Sequence, residues 1–193
     1  MFEGKIKPGE RISLVDVANQ LEVSVTPVRE ALTQLTEIQV VSYIQNRGFL
    51  AIELNKNEAN EIYEVIAALE KAALLSTQFD PGIIKKLEKC QEQFSKAKTA
   101  LAKVNLDTKF HQLLLENNKN GLIKKIIEDI RLRIFFYELE YMKSNPSEPP
   151  SSSSHSTIIK HLKKGDKQKA VEALSKNWLL SINSVLAVID WPN

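Results

Sequence analysis

The chain has 193 residues, 43% hydrophobic and 26% charged, with a formal net charge of +2. That is ordinary globular composition, long enough for one or two domains with a real core. No apolar run approaches the roughly 18 residues of a membrane helix and no signal peptide opens the chain, so membrane insertion is excluded and a cytoplasmic location is expected. The single cysteine, Cys90, excludes an internal disulfide framework and reads as inert among charged neighbours.

Residues 14–21 read as a short helix with Ser13 as its N-cap. Glu22-Val23-Ser24-Val25 leads to a second helix, with Thr26 expected as N-cap and Pro27 in the first helical position, where its missing N–H costs nothing. Glu30 lies one turn in, favourably placed against the helix dipole. Val28, Ala31, Leu32 and Leu35 form an apolar stripe. So tight a pair is either an ordinary αα-hairpin or a helix-turn-helix. Residues 40–44 and 48–54 are β-branched and aromatic, and the turn Gln45-Asn46-Arg47-Gly48 between them predicts a hairpin. Helix-turn-helix plus hairpin makes a winged helix. Its second helix faces a DNA major groove, and Arg47 stands at the wing tip.

From residue 55 the pattern is helical throughout. A helix over 58–78, capped by Asn55 or Asn57, carries Ile62, Val65, Ile66, Leu69 and Ala73 on its apolar side. Asp80-Pro81 opens the next, with Ile83, Leu87, Cys90 and Phe94 inside, and further helices are expected over 101–117 and 121–143. Residues 144–150 and the serine run after them read as a loop: a solvated linker, or a lid over a pocket. A short helix over 155–164 and a last one capped by Asp166 and running to Ile189 complete the set. The fold class is mainly α: an N-terminal winged helix-turn-helix with a short β-hairpin wing over 1–54, and an antiparallel all-α bundle of about six helices over 55–193.

Asp107 and His111, four apart, share one face of a helix and can chelate a transition metal; the plainer reading is a surface or capping interaction. Arg131, Arg133, Tyr63, Phe136 and Tyr137 are either pocket-lining or plain core and surface residues.

The stretch PGERISLVDVANQLEVSVTPVREAL, with QNRGFLAIEL, resembles the DNA-binding domain of the GntR superfamily of bacterial transcription regulators over nearly all of residues 4–54. Asp107-Thr108-Lys109-Phe110-His111, followed by His155-Ser156-Thr157-Ile158-Ile159 and Gly165-Asp166, resembles the FCD ligand domain of the FadR branch. The resemblance implies DNA contacts at Ser24, Thr26 and Arg29 and, on the wing, at Asn46, Arg47 and Gly48. Ser24 and Thr26 would meet phosphate or cap the helix, and Arg29 would meet a guanine edge. The competing reading of Arg29 is a salt bridge with Glu30 or Asp16. The resemblance also implies a metal held by Asp107, His111, His155 and Asn177, the last standing where histidine is usual. A neutral amide oxygen is a harder ligand than imidazole, so preference drifts from Zn²⁺ toward ions such as Ni²⁺ or Mn²⁺. Without an ion, Asp107, His111 and His155 would form a buried hydrogen-bond cluster. His161 is expected at the surface.

Four departures from the family pattern carry expectations. Val25 replaces an arginine that usually contacts DNA, and Gln39 replaces the glycine that ends the reading helix. Ile66 replaces an arginine that helps bind a carboxylate effector. Arg131 or Arg133, with Tyr63, would then line the effector pocket, and the effector would be less anionic than usual. The family has a helix before the segment beginning at Glu3, where only Met1-Phe2 stand here. Either the start is truncated or one wall of the domain is missing, leaving Leu14, Val17, Leu32 and Leu35 exposed and the domain less stable than the bundle. Residues 1–54 also carry five basic against seven acidic side chains, a balance of −2 that works against phosphate binding.

The reading is a DNA-binding transcription regulator, a repressor by family habit, acting as a homodimer on operator DNA and controlled by a small metabolite. Two alternatives compete: a metabolite- or metal-binding protein that has lost DNA binding, and a metal-dependent bundle enzyme. Against the enzyme, no general base recurs near the metal motif, and a wing would be superfluous.

Overall fold

A computed structural model of the chain describes residues 6–144 and 151–188. They fall into two compact units, residues 1–55 and 56–193.

The first unit comprises α1 (Leu14–Leu21), α2 (Val25–Glu37), β1 (Val41–Ile44) and β2 (Gly48–Ala51). Ser13 caps α1 as expected, its Oγ accepting from the Asp16 N–H at 3.2 Å, and Glu22 ends the helix at φ 55°. The start of α2 differs from the expectation. Ser24 is the N-cap, without a side-chain cap bond, and Thr26 and Pro27 lie inside the first turn. No N–H in a first turn has an intrahelical partner, so proline is tolerated at its third position as well as its first. Beyond α2, Gln39 adopts φ 58°, the left-handed region that favours glycine. β1 and β2 pair antiparallel, Val41 opposite Ala51 and Ile44 opposite Gly48. Their turn closes through the Arg47 N–H on the Ile44 carbonyl at 3.0 Å, with Asn46 at φ 67° and Gly48 at φ 83°.

Val17, Ala18, Val28 and Leu32 pack on Val41, Phe49, Ala51 and Ile12, with Leu14 and Leu35 at the margin. The expected exposure of Leu14, Val17, Leu32 and Leu35 is therefore corrected. The first two lie under the segment carrying Ile12, which the Ile12 N–H fastens to the Phe49 carbonyl at 2.8 Å, and the hairpin completes the cover.

The second unit is a helical bundle of α3 (Lys56–Ser76), α4 (Pro81–Lys96), α5 (Ala100–Leu114), α6 (Gly121–Ser144), α7 (Ser151–Lys163) and α8 (Lys167–Val188). α3 packs on α6 and α8, α4 on α5 and α7, α5 on α6, and α7 on α8. Asp80 caps α4 as expected, its Oδ1 accepting from Gly82 at 2.7 Å and Ile83 at 3.0 Å. Asp166 does the same for α8 through Lys169 at 3.1 Å. Phe94, Phe110, Leu114, Ile127, Tyr137, Ile158 and Leu174 are fully buried at the centre.

Of the two caps expected for α3, Asn55 stands just before its first residue, Lys56, and Asn57 lies inside the helix. Two further bundle expectations are revised. The inner face of α3 holds Ile62, Ile66 and Ala73 as expected, but Val65 is exposed and Leu69 half-buried, while Tyr63 and Glu70 are buried beside them. The serine run is the first turn of α7 rather than loop, because first-turn N–H groups need no intrahelical partner and serine is cheap there. Residues 1–5, 145–150 and 189–193, with the expected linker and the end of the last helix, lie outside the described residues. Among the described residues no helix is long and apolar enough to cross a membrane.

Candidate nucleic-acid surface and metal centre

Ser24, Thr26 and Arg29 are exposed on the first turns of α2, Asn46 and Arg47 are exposed on the hairpin turn, and Gly48 is half-buried. Arg29 lines one groove with Arg11, Tyr43, Gly48 and Phe49. Arg47 lines a second, also bordered by Tyr43. Arg29 forms no ion pair with Glu30 or Asp16. Arg11 is the cation that sequence reasoning missed. Its Nε lies 3.9 Å from where a Cβ on Gly48 would stand, beside the wing, and its only local signal was a basic residue just ahead of α1.

In the bundle, α5 supplies Asp107 and His111 from one face and α7 supplies His155. His155 Nε2 is 3.3 Å from Asp107 Oδ1, and His111 Nε2 is 3.8 Å from Asp107 Oδ2. One ligand atom from each residue lies within 4.8 Å of the others. The hydrogen-bond network assigns both imidazole tautomers. Gln91 Nε2 donates to the Ser152 carbonyl at 3.1 Å, which leaves Gln91 Oε1 to accept from His155 Nδ1 at 2.9 Å. His155 Nε2 thus carries a lone pair. His111 Nδ1 donates to Glu70 Oε2 at 2.6 Å, aiming its Nε2 at Asp107. The His155 ring stacks on Phe110 at 3.8 Å between centroids.

These lone pairs converge on the Asp107 carboxylate. His155 Nε2 and both amide atoms of Asn177 are buried with no hydrogen-bond partner, and Asn177 on α8 is 1% exposed. The ion-free hydrogen-bond cluster is therefore not closed: one nitrogen is orphaned, and 3.8 Å is too long for a hydrogen bond. A donor set of one carboxylate and two imidazoles, with an orphaned buried nitrogen, fits a divalent transition ion.

The electrostatics of the ion-free cluster pull in both directions. Burial, aided by nearby His111, holds the His155 imidazole well below its ordinary pKa, in the neutral form a metal needs. Burial raises Asp107, against the pull of His111 and Arg131. For Glu70 burial is outweighed by His111 and Arg131, so its carboxyl is lowered. For His111 burial is outweighed by Glu70, so its imidazole is raised. Burial and the Asp107 charge push Glu138 up to about 8.

The expected effector residues are already partnered. Arg131 is buried and ion-paired with Glu70; Arg133 is half-buried and paired with Glu58. Tyr63 donates to Glu138 at 2.7 Å. Neither arginine is the exposed cation that sequence reasoning allowed. Glu70, Glu138 and Gln91 were missed, since nothing local marks a charged or amide residue as buried. His161 is half-buried rather than at the surface, and stands apart from the cluster. Cys90 is buried and bonded to the Leu106 carbonyl at 3.3 Å. Burial pushes its thiol up, in keeping with inertness.

Residues 2–50 match the GntR family of bacterial regulatory proteins, and residues 61–178 match the FCD domain. The chain belongs to the GntR family, in the branch that carries an FCD domain. This GntR protein is 29% identical over 178 residues to an uncharacterized HTH-type transcriptional regulator, YdhC of Bacillus subtilis, covering 88% of this chain and 79% of that one. It is 33% identical to the Nta operon transcriptional regulator of Aminobacter aminovorans over 67% of this chain and 64% of that one. The solved structure of E. coli McbR/YncC superposes with a TM-score of 0.84 at 23% identity, covering 96% and 91% of the two chains, which speaks for the fold. The GntR chain is a DNA-binding transcription regulator with a C-terminal effector domain.

Proposed function

We propose that this chain is a cytoplasmic, metal-containing repressor that binds operator DNA as a homodimer and releases it on binding a small metabolite. The observation that carries the sensing half is the buried convergence of Asp107, His111 and His155, in which His155 Nε2 is left without a hydrogen-bond partner; the buried, unpartnered amide of Asn177 is the fourth candidate ligand. Those four residues would hold the ion. A bound divalent ion supplies a Lewis-acidic point for an oxygen-bearing effector. Asp107 and the two imidazoles orient it, and Phe110 and Trp178 wall the site with apolar surface. Because Arg131 is neutralised by Glu70 and Ile66 is fully buried and uncharged, the effector is less anionic than a simple dicarboxylate.

The DNA half rests on exposed Arg29 in the groove that runs to the wing. Two such winged helices in a symmetric dimer would meet half-sites of a near-palindromic operator. The charge of −2 over residues 1–54 and the apolar Val25 favour a second reading, a metabolite-binding protein that no longer binds DNA.

Fluorescence anisotropy against the DNA upstream of the chain's own gene separates the two readings. The repressor binds with a steep salt dependence and loses about 1–3 kcal/mol in Arg29→Ala. Absence of binding at low salt leaves the second reading. Metal analysis of protein purified without chelator, beside His111→Ala, tests the ion: near-stoichiometric metal in the first and its loss in the second support the site.

A further inference from the structure

Four helices of the bundle meet on one carboxylate. Glu70 of α3 is 1% exposed. Its Oε2 accepts the Nδ1 proton of His111 on α5 at 2.6 Å and the indole proton of Trp178 on α8 at 2.9 Å. Its Oε1 takes Arg131 of α6. A buried carboxylate persists only where it is partnered, and Arg131 alone would neutralise it. The other two bonds are aimed elsewhere. With both carboxylate oxygens occupied by groups from three different helices, the carboxylate cannot rotate without breaking a bond, so the His111 ring it holds cannot rotate either. Trp178 adds a wall, its ring 4.6 Å from the imidazole between centroids. His155 is held on its Nδ1 only by the neutral amide of Gln91, whereas His111 is held by a charge. A carboxylate behind a ligating imidazole fixes its tautomer and raises its basicity.

We propose that Glu70 is the positioning residue of the metal centre, presenting His111 Nε2 as a lone pair beside Asp107 and His155. The proposal rests on the metal reading above, applied to a residue outside the ligand set. Its consequence is a division of labour on the one carboxylate: Arg131 stabilises the charge, and the His111 bond delivers it to the site.

The test is a Zn²⁺ titration of the full chain, stripped with chelator, against a competing fluorescent chelator, with thermal unfolding of each variant recorded alongside. Glu70→Leu is expected to weaken Zn²⁺ binding by about 10–100-fold. Glu70→Gln keeps an acceptor for His111 and should fall between, and it carries the test if Glu70→Leu does not fold. Arg131→Met breaks the same ion pair but leaves the His111 bond, so it should lower the melting temperature while holding Zn²⁺ close to wild type. Wild-type-like Zn²⁺ binding in Glu70→Leu overturns the role of Glu70 and leaves the metal site standing. Equal losses in Glu70→Leu and Arg131→Met also overturn it, since a purely structural role would act that way. A wild type that takes up none of Zn²⁺, Ni²⁺ and Mn²⁺ overturns the metal reading itself, and this proposal with it.

Discussion

Two residues of the winged helix sit where side chain and backbone disagree. Gln39 holds φ 58°, a conformation that costs an L-residue roughly 1–2 kcal/mol and glycine almost nothing. Glycine also gives the unfolded chain more freedom, which offsets part of the gain. Gln39→Gly is therefore expected to stabilise the first unit by about 0.5–1 kcal/mol, read from its urea midpoint. Val25 is the other. It is the first residue of α2 and is exposed, at a position where the family resemblance expects a cation. Val25→Arg should tighten operator binding and steepen its salt slope by about one counterion. A cation at a helix N-terminus opposes the dipole, so the same change should cost the fold about 0.3–1 kcal/mol. Anisotropy in a salt series and thermal unfolding would report the two effects with opposite signs.

At the scale of elements, caps proved easier to read than faces. Asp80-Pro81 and Asp166 announce α4 and α8 because a cap bonds within three residues of itself. The Asp80 carboxyl is held below the usual carboxylate range, chiefly by the Ile83 backbone N–H, with the Gly82 N–H and the Asn117 amide adding to it. Such a group contributes stability that is present above the unfolded value of about 3.9 and lost as pH falls through the folded one. Asp80→Ala should lower the melting temperature at neutral pH, and the difference from wild type should vanish in acid below that range. Faces were harder. Asp107 and His111 were legible because spacing by four aligns them on one helix, and the resemblance supplied His155 and Asn177. Glu70 and Gln91 were not legible, because their partners lie 41 and 64 residues away and hydropathy alone assigns a glutamate to the outside. For the same reason the inner side of α3, read correctly through Ile62, Ile66 and Ala73, was extended to Val65 and Leu69 rather than to Tyr63 and Glu70. The serine run misled in the other direction: its composition says loop, but its position as a first turn makes it helix.

Across the whole molecule the charge is unevenly shared. Residues 1–54 carry −2 of a chain total of +2, so the remainder carries +4. DNA affinity must then come from a few placed cations rather than a basic surface. Arg11, Arg29 and Arg47 are the three cations lining the grooves beside the wing. At roughly 0.9 counterions per phosphate contact, Arg11 and Arg47 should give log K against log salt a slope of about −2 per winged helix, and Arg47→Ala should reduce it by about one, while Arg29→Ala, removing a base contact, should change it little. A much steeper slope would mean cations outside these grooves reach the DNA. The winged helix was legible from two short helices followed by alternating stretches, and the helical bundle from unbroken helical periodicity.

Trp178 bonds to the carboxylate that grips His111 and lies against that imidazole. The chain holds two tryptophans, so Trp191→Phe leaves a single indole emitter, embedded in the sensing core. Arrival of an ion or small molecule beside it should change the colour or yield of that emission without any added dye. The regulator thus carries its own optical assay, and a collection of candidate compounds can be screened against it in a cuvette.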